Sequence, residues 1–190
     1  AGVNRSKEPE DFFFGNSDLT EKILSFFESK KIFPNIIFSS TKHIRREDAY
    51  GRSKQSAELH VQDFCKRNST NYTILRLPNL YGKWCRPNYN SVVATFCHNI
   101  ARKKKIQIND KHAVIELMHV DDAVREITAS LTKNFSEIKS DFKHIDTCTL
   151  GDLAYKIKIF RDQQKTSFIP NFEDKFLKKL YSTFITYLPP

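Results

Sequence analysis

Residues 35–77 constrain the fold more than any other stretch of the chain. NIIFSS is a short run of successive apolar residues ending in hydroxyls, a helical stretch follows at about 49–67, and YTILRL closes the segment at 72–77. An apolar run without polar alternation suits a strand buried on both faces. Two such strands joined through a long helix form a parallel pair, because a parallel connection needs a crossover. The rest of the chain keeps the alternation. A strand end is expected at AGV. A helix is expected at about 17–31, capped by Asn16 or Ser17, with Leu19, Ile23, Leu24 and Phe27 on one face. Later come a helix at about 91–104, short strands at IQI and VIELMHV, and a helix from Asp121 or Asp122 onward. A strand near FKHID and helices near 150–161 and 172–187 complete the reading. The expected fold is therefore α/β, a doubly wound parallel sheet with helices on both faces. The expected seam is YGKWCRPNYN at 81–90. It separates residues 1–82, the sheet part, from 83–190, mainly a smaller lobe with one or two elements returning to the sheet.

Composition narrows the class. No apolar run approaches the ~20 residues of a membrane span. The first thirty residues lack a basic-then-apolar leader pattern, so a cytoplasmic location is expected and a membrane is not. Cys65, Cys85, Cys97 and Cys148 are widely spaced; free thiols and no metal site are expected. The net charge is +9. Its densest cluster, ARKKK at 101–105, follows an apolar helix and reads as a solvated helix end. Nucleic acid is not the expected partner, and a doubly charged, nucleotide-linked substrate would use the surplus equally well. Met118 is the only methionine, so the chain is expected to be the remainder of something longer.

The chemistry centres on YGRSK. Tyr50 and Lys54 stand at i and i+4, one helical turn apart on one face. An ammonium beside a phenol favours the phenolate, so the tyrosine pKa is expected to fall from about 10. Such a tyrosine can exchange a proton while a hydride moves at the neighbouring carbon. A hydroxyl at the end of IIFSST, Thr41 first and Ser40 second, is placed to hold the substrate oxygen. The bland alternative is a Tyr–Lys pair on a solvated helix face. The flanking strand and hydroxyls favour the chemical reading.

The order IIFSST, YGRSK, LRLPNLYG and HVDDAV resembles the extended short-chain dehydrogenase/reductase family, the NAD-dependent epimerases and dehydratases. The resemblance implies a Rossmann-like sheet and a catalytic triad of Thr41, Tyr50 and Lys54. It implies that Ser39, Tyr50, Lys54 and Pro78 contact the cofactor, and that Ala1 and Gly2 end a strand lining it. Ser40 and Asn79 are implied on the substrate side. The stretch LPNLYGKWCRPNYNSVVATFCHNIARKKKIQIND resembles more narrowly the capsular-polysaccharide reductases acting on UDP-2-acetamido-2,6-dideoxy-hexulose. That implies NADPH-dependent reduction of a 4-keto sugar, a UDP-linked amino-deoxy sugar as substrate, and a homodimer in the full-length enzyme. Arg86, Asn88 and Asn90 are implied substrate contacts; the competing reading is a polar loop that caps the next helix.

There are departures from the pattern. Many members carry an arginine shortly before the H-V-x-D segment to grip a diphosphate, whereas AVIELMHVDD has Glu116 and no arginine. Asp121 and Asp122 read as helix caps and His119 as a packed residue. The glycines are Gly2, Gly15, Gly51, Gly82 and Gly151. None is close enough to another to form the Gly-rich loop that cradles a dinucleotide pyrophosphate. The expectation is a reductase part that lacks its first strands and is inactive alone. The alternatives are a 4-epimerase of the same family and a non-catalytic remnant. Lys42 and His43 after Thr41 argue against a dehydratase, where an acidic pair is common.

Overall fold

The structure, a computed structural model, describes residues 2–166, 171 and 173–189 of the 190. Along the chain run α1 (Pro9–Phe12), a π-helical turn (Phe13–Asp18), α2 (Leu19–Ser29) and β1 (Ile36–Thr41). A 3-10 turn (Lys42–Arg45), α3 (Ala49–Arg67), β2 (Tyr72–Leu77), β3 (Asn79–Tyr81) and α4 (Val92–Ala101) follow. The chain continues with β4 (Val114–His119), α5 (Val120–Ser130), β5 (Glu137–Lys139), β6 (Asp146–Thr149), α6 (Leu150–Thr166) and α7 (Lys175–Ile185). It is an α/β, Rossmann-like fold. Two compact units form, one from the chain up to Pro78 together with Val124–Lys143, the other from Asn79–Ala123 and the chain from His144.

In the first unit β1, β2 and β5 make a parallel sheet in the order β1-β2-β5. Ser40 is in register with Arg76, and Thr41 with Leu77. Helix α3 packs on β1 and β2. Its side chains Val61, Phe64 and Cys65 close over Ile74, with Leu24 from α2 completing the cluster. Asp48 caps α3 by accepting the Gly51 N–H at 2.8 Å. Pro78 has no N–H to continue a ladder, and the chain passes from β2 into the second unit there.

In the second unit β3 and β4 pair in parallel and β6 joins β4 antiparallel. Helices α4, α6 and α7 bury Phe96, Leu153, Ile157, Leu180 and Phe184 in one core with Tyr81 and Leu117. Pro9, at the first helical position of α1, starts helical structure well before residue 17.

Several expectations change here. Asn16 and Ser17 do not cap a helix; both are buried inside the π turn. Asn16 is occupied by three hydrogen bonds: its Oδ1 accepts the Val3 N–H, and its Nδ2 donates to the Val3 carbonyl and to Ser53 Oγ. A π turn closes i→i+5 bonds, so it rotates the following face. Leu24 is buried, whereas Ile23 is 46% exposed. The anticipated strand at AGV is absent at residues 2 and 3, which run irregularly, and Ala1 lies outside the described residues. IQI is also irregular; Ile106 and Ile108 serve as core side chains instead. Near FKHID the strand begins only at Asp146, and β5 is an unanticipated strand.

Candidate functional site

β1 delivers Ser39, Ser40 and Thr41 at its carboxyl end, and the first two turns of α3 deliver Tyr50 and Lys54. Thr41 is buried, and its Oγ1 accepts the His43 N–H at 3.1 Å, which starts the 3-10 turn. The Tyr50 phenol is half-buried, hydrogen-bonded with Thr41 and packed edge-on against Phe12 at 6.0 Å. Ser53 Oγ donates to the Tyr50 carbonyl and also accepts from Asn16. The N-terminal segment is thereby anchored under the same helical turn.

The electrostatics differ from the expectation drawn from Tyr–Lys spacing. The Tyr50 pKa is raised, not lowered. Burial dominates; the Thr41 hydrogen bond and Arg46 pull down, and Asp48 pushes up. Lys54 does not lie against the phenol. Its Nζ donates to the Ser39 carbonyl at 2.9 Å and sits 4.4 Å from the Phe38 ring centroid. Desolvation lowers the Lys54 pKa to about 8, although Glu58 one turn on opposes the fall.

Two residues beyond the spacing argument support this turn. Glu58 is buried, and Arg76 of β2 grips it in bidentate fashion, with Nη2 to Oε2 at 2.7 Å and Nε to Oε1 at 3.1 Å. Lys54 and Glu58 are four residues apart, so the i,i+4 rule could have found the carboxylate. Gly51 is the second: a Cβ there would lie 2.2 Å from the Arg46 carbonyl oxygen.

The remaining candidates fall variously. Ser39 is exposed and Ser40 buried with an unpartnered Oγ. Pro78 is buried; Gly2 is exposed on irregular chain. In the second unit, Asn79 Nδ2 donates to the Glu116 carbonyl at 3.1 Å. Arg86 stacks its guanidinium 5.4 Å from the Tyr89 centroid. Asn88 donates its N–H to Thr95 and accepts from Asn99 through Oδ1, so it does tie the loop to α4. Asn90 is exposed. The helix cap itself is Ser91, which accepts the Ala94 N–H. Trp84, which sequence reasoning passed over, is 86% exposed on a left-handed backbone with φ 61°.

Asp121 and Asp122 are not equivalent caps. Asp121 is exposed beside His119, whereas Asp122 is 1% exposed and paired with Lys179 of α7 at 2.5 Å. A carboxylate this deep needs a partner, and α7 supplies one. His119 is buried edge-on against Tyr81, its Nδ1 accepts the Asp121 N–H, and burial lowers its pKa. Among the described residues no group of three or more His, Cys, Asp or Glu side chains could hold a metal ion. The four cysteines are free. No helix among the described residues is long and apolar enough to cross a membrane.

The model of the NAD dependent epimerase/dehydratase family matches residues 1–143. The chain belongs to that family. A UDP-2-acetamido-2,6-beta-L-arabino-hexul-4-ose reductase from Pseudomonas aeruginosa is 37% identical over all 190 residues of this epimerase/dehydratase-family chain, which cover 51% of the relative. The capsular polysaccharide assembling protein CapF from Staphylococcus aureus superimposes with a TM-score of 0.81 at 33% identity, over 90% of this chain and 48% of CapF. UDP-glucose 4-epimerase from Thermotoga maritima shares the fold, with a TM-score of 0.79 at 20% identity, over 95% of this chain and 72% of the epimerase. The chain thus spans about half the length of the reductase and of CapF.

Proposed function

We propose that this chain is part of an NADPH-dependent reductase acting on the 4-keto group of a UDP-2-acetamido-2,6-dideoxy-hexulose, in the synthesis of capsule or O-antigen sugars. The observation that carries the reading is identity of 37% along the entire chain with a reductase of that substrate class. It is reinforced by a Thr41–Tyr50 hydrogen bond one turn from a buried lysine.

NADPH, when bound, supplies the hydride. The residues present fit the nicotinamide end of such a cofactor: Lys54, on α3 with Tyr50, is a buried cation held at the Ser39 carbonyl, and Thr41 ends the neighbouring strand β1. The glycine-rich loop that cradles a dinucleotide pyrophosphate is not among the 190 residues. Under this reading the 190 residues are inactive by themselves.

Tyr50 donates its proton to the C4 oxygen, and Thr41 hydrogen-bonds the same oxygen. Lys54 binds the nicotinamide ribose. Asn79, Arg86 and Asn90 contact the nucleotide-sugar, with Asn88 shaping their loop. In the reductive direction the phenol must be protonated to donate, and burial, which raises its pKa, keeps it so. Four free thiols suit the cytoplasm, and the complete enzyme is a homodimer.

The test is loss of NADPH absorbance with the 4-keto sugar. It is run with this chain alone and with this chain placed behind the preceding residues of the Pseudomonas reductase. Turnover is expected only in the second case and is removed by Tyr50→Phe. Full turnover in that variant overturns the assignment.

A further inference from the structure

The first unit contains a surface cavity of about 620 Å³ whose charged lining is dominated by arginine: Arg45 and Arg46 from the turn after β1, Arg52 from α3 and Arg76 from β2. Glu47 and Gln55 also line it. Like charges gathered on one cavity repel unless something offsets them. Three carboxylates are near. Glu58 is buried on Arg76. Asp48 is paired with Arg46 at 3.1 Å. Glu47 is the third. Arg52 spends Nη1 on the Glu47 backbone carbonyl at 2.8 Å, a contact that leaves its charge uncompensated. Arg45 has no ion pair among the described residues. Two guanidinium groups, Arg45 at the end of the 3-10 turn and Arg52 on α3, thus line the cavity with Glu47 as the one carboxylate among its lining residues.

The geometry is held from below. Ile44 is buried and fixes the turn, the Arg46 carbonyl is pressed against Gly51, and Arg76 is locked by two hydrogen-bonded contacts to Glu58. Ser40, in register beside Arg76 and so on the same face of the sheet, has a buried hydroxyl without a partner. Guanidinium forks match phosphate oxygens two at a time.

We propose that this arginine-lined cavity binds a diphosphate group, with Arg45 and Arg52 as its principal ligands and Arg46 as the third. The proposal rests on these arginines and not on the reductase reading, which is carried by the 37% identity to a reductase and supported by Thr41, Tyr50 and Lys54. A free diphosphate and the diphosphate of a nucleotide present the same chemistry, and the test separates them.

Inorganic pyrophosphate is titrated into the full 190-residue chain at low salt, following the arginine side-chain N–H signals by NMR. Saturable shifts are expected. The exposed pair Arg45→Gln/Arg52→Gln should weaken binding by about tenfold or more, since each charge-assisted bond contributes on that scale. Lys103→Gln/Lys104→Gln, in the other basic cluster, should leave it unchanged. Competition by UDP for the same signals assigns the site to a nucleotide diphosphate; pyrophosphate binding without UDP competition assigns it to the free anion. Unsaturable shifts, equal affinity in the arginine variant, or sulfate binding as tightly as pyrophosphate overturns the proposal. Thermal melts accompany each variant, and Arg45→Gln alone serves if the double variant is unfolded.

Discussion

The ammonium of Lys54 donates to the Ser39 backbone carbonyl at 2.9 Å while lying 4.4 Å from the Phe38 ring centroid. One side chain of α3 is therefore clamped to two consecutive residues of β1. The clamp fixes the helix turn that carries Tyr50 relative to the strand end that carries Thr41. It costs stability, because a cation is taken out of water to form it.

Lys54→Met should stabilise the chain at neutral pH. The Lys54 pKa is about 8 in the folded chain against 10.5 ordinarily. That difference corresponds to a penalty of roughly 3 kcal/mol on the charged form; part is returned by the lost hydrogen bond, so a gain of about 1–2 kcal/mol is expected. The sign with pH follows. Because the folded pKa is the lower one, the unfolded chain holds more protons between pH 8 and 10.5, and wild-type stability rises with pH across that window relative to Lys54→Met. Urea melts of both proteins at neutral and alkaline pH measure it; parallel curves would remove the desolvated-lysine account.

Tyr50 should titrate above the ordinary tyrosine range, since burial outweighs its hydrogen bond to Thr41. Ultraviolet difference titration of wild type against Tyr50→Phe isolates its ionisation. A component below pH 10 would mean that Lys54 reaches the phenol after all.

Gly51→Ala should destabilise by about 1–3 kcal/mol, the usual cost of overpacking. Elsewhere in a helix interior the same change stabilises by up to about 1 kcal/mol. The reversal arises because the new Cβ would meet the Arg46 carbonyl at 2.2 Å. A rise in melting temperature would show that the turn yields freely.

Glu58→Gln should cost about 3–5 kcal/mol, because Arg76 would be left partly buried without its counter-charge. Combining it with Arg76→Met should recover much of the loss. A double variant as unstable as the single one would place the cost in packing rather than in the orphaned charge.

Much of the fold could be read from the chain because the elements around the candidate site are locally determined. Helix α3 runs over the residues that its pattern marks out, and β2 coincides with YTILRL. Both are long or strongly apolar segments with clear ends. The failures occurred where local signals competed with distant partners. Asn16 is a good capping residue, yet its side chain is taken by Val3 and Ser53. Asp122 is a good first-turn carboxylate, yet Lys179, far along the chain, draws it into the interior. Ser53 lies 37 residues from Asn16 and Lys179 lies 57 from Asp122, so no local window of sequence contains those pairs.

The same division separates what each level decided about this protein. The sequence by itself determined the α/β class and the placement of Thr41 at a strand end with Tyr50 and Lys54 on the next helix. These follow from periodicity and from short motifs whose spacing is set by one turn of helix. Tertiary structure alone decided the charge states and the neighbours. Burial raises the Tyr50 pKa and lowers that of Lys54, Glu58 is spent on Arg76, and the remaining arginines collect around one cavity. Desolvation and pairing depend on which atoms surround a group in space, and neighbours along the chain do not specify that.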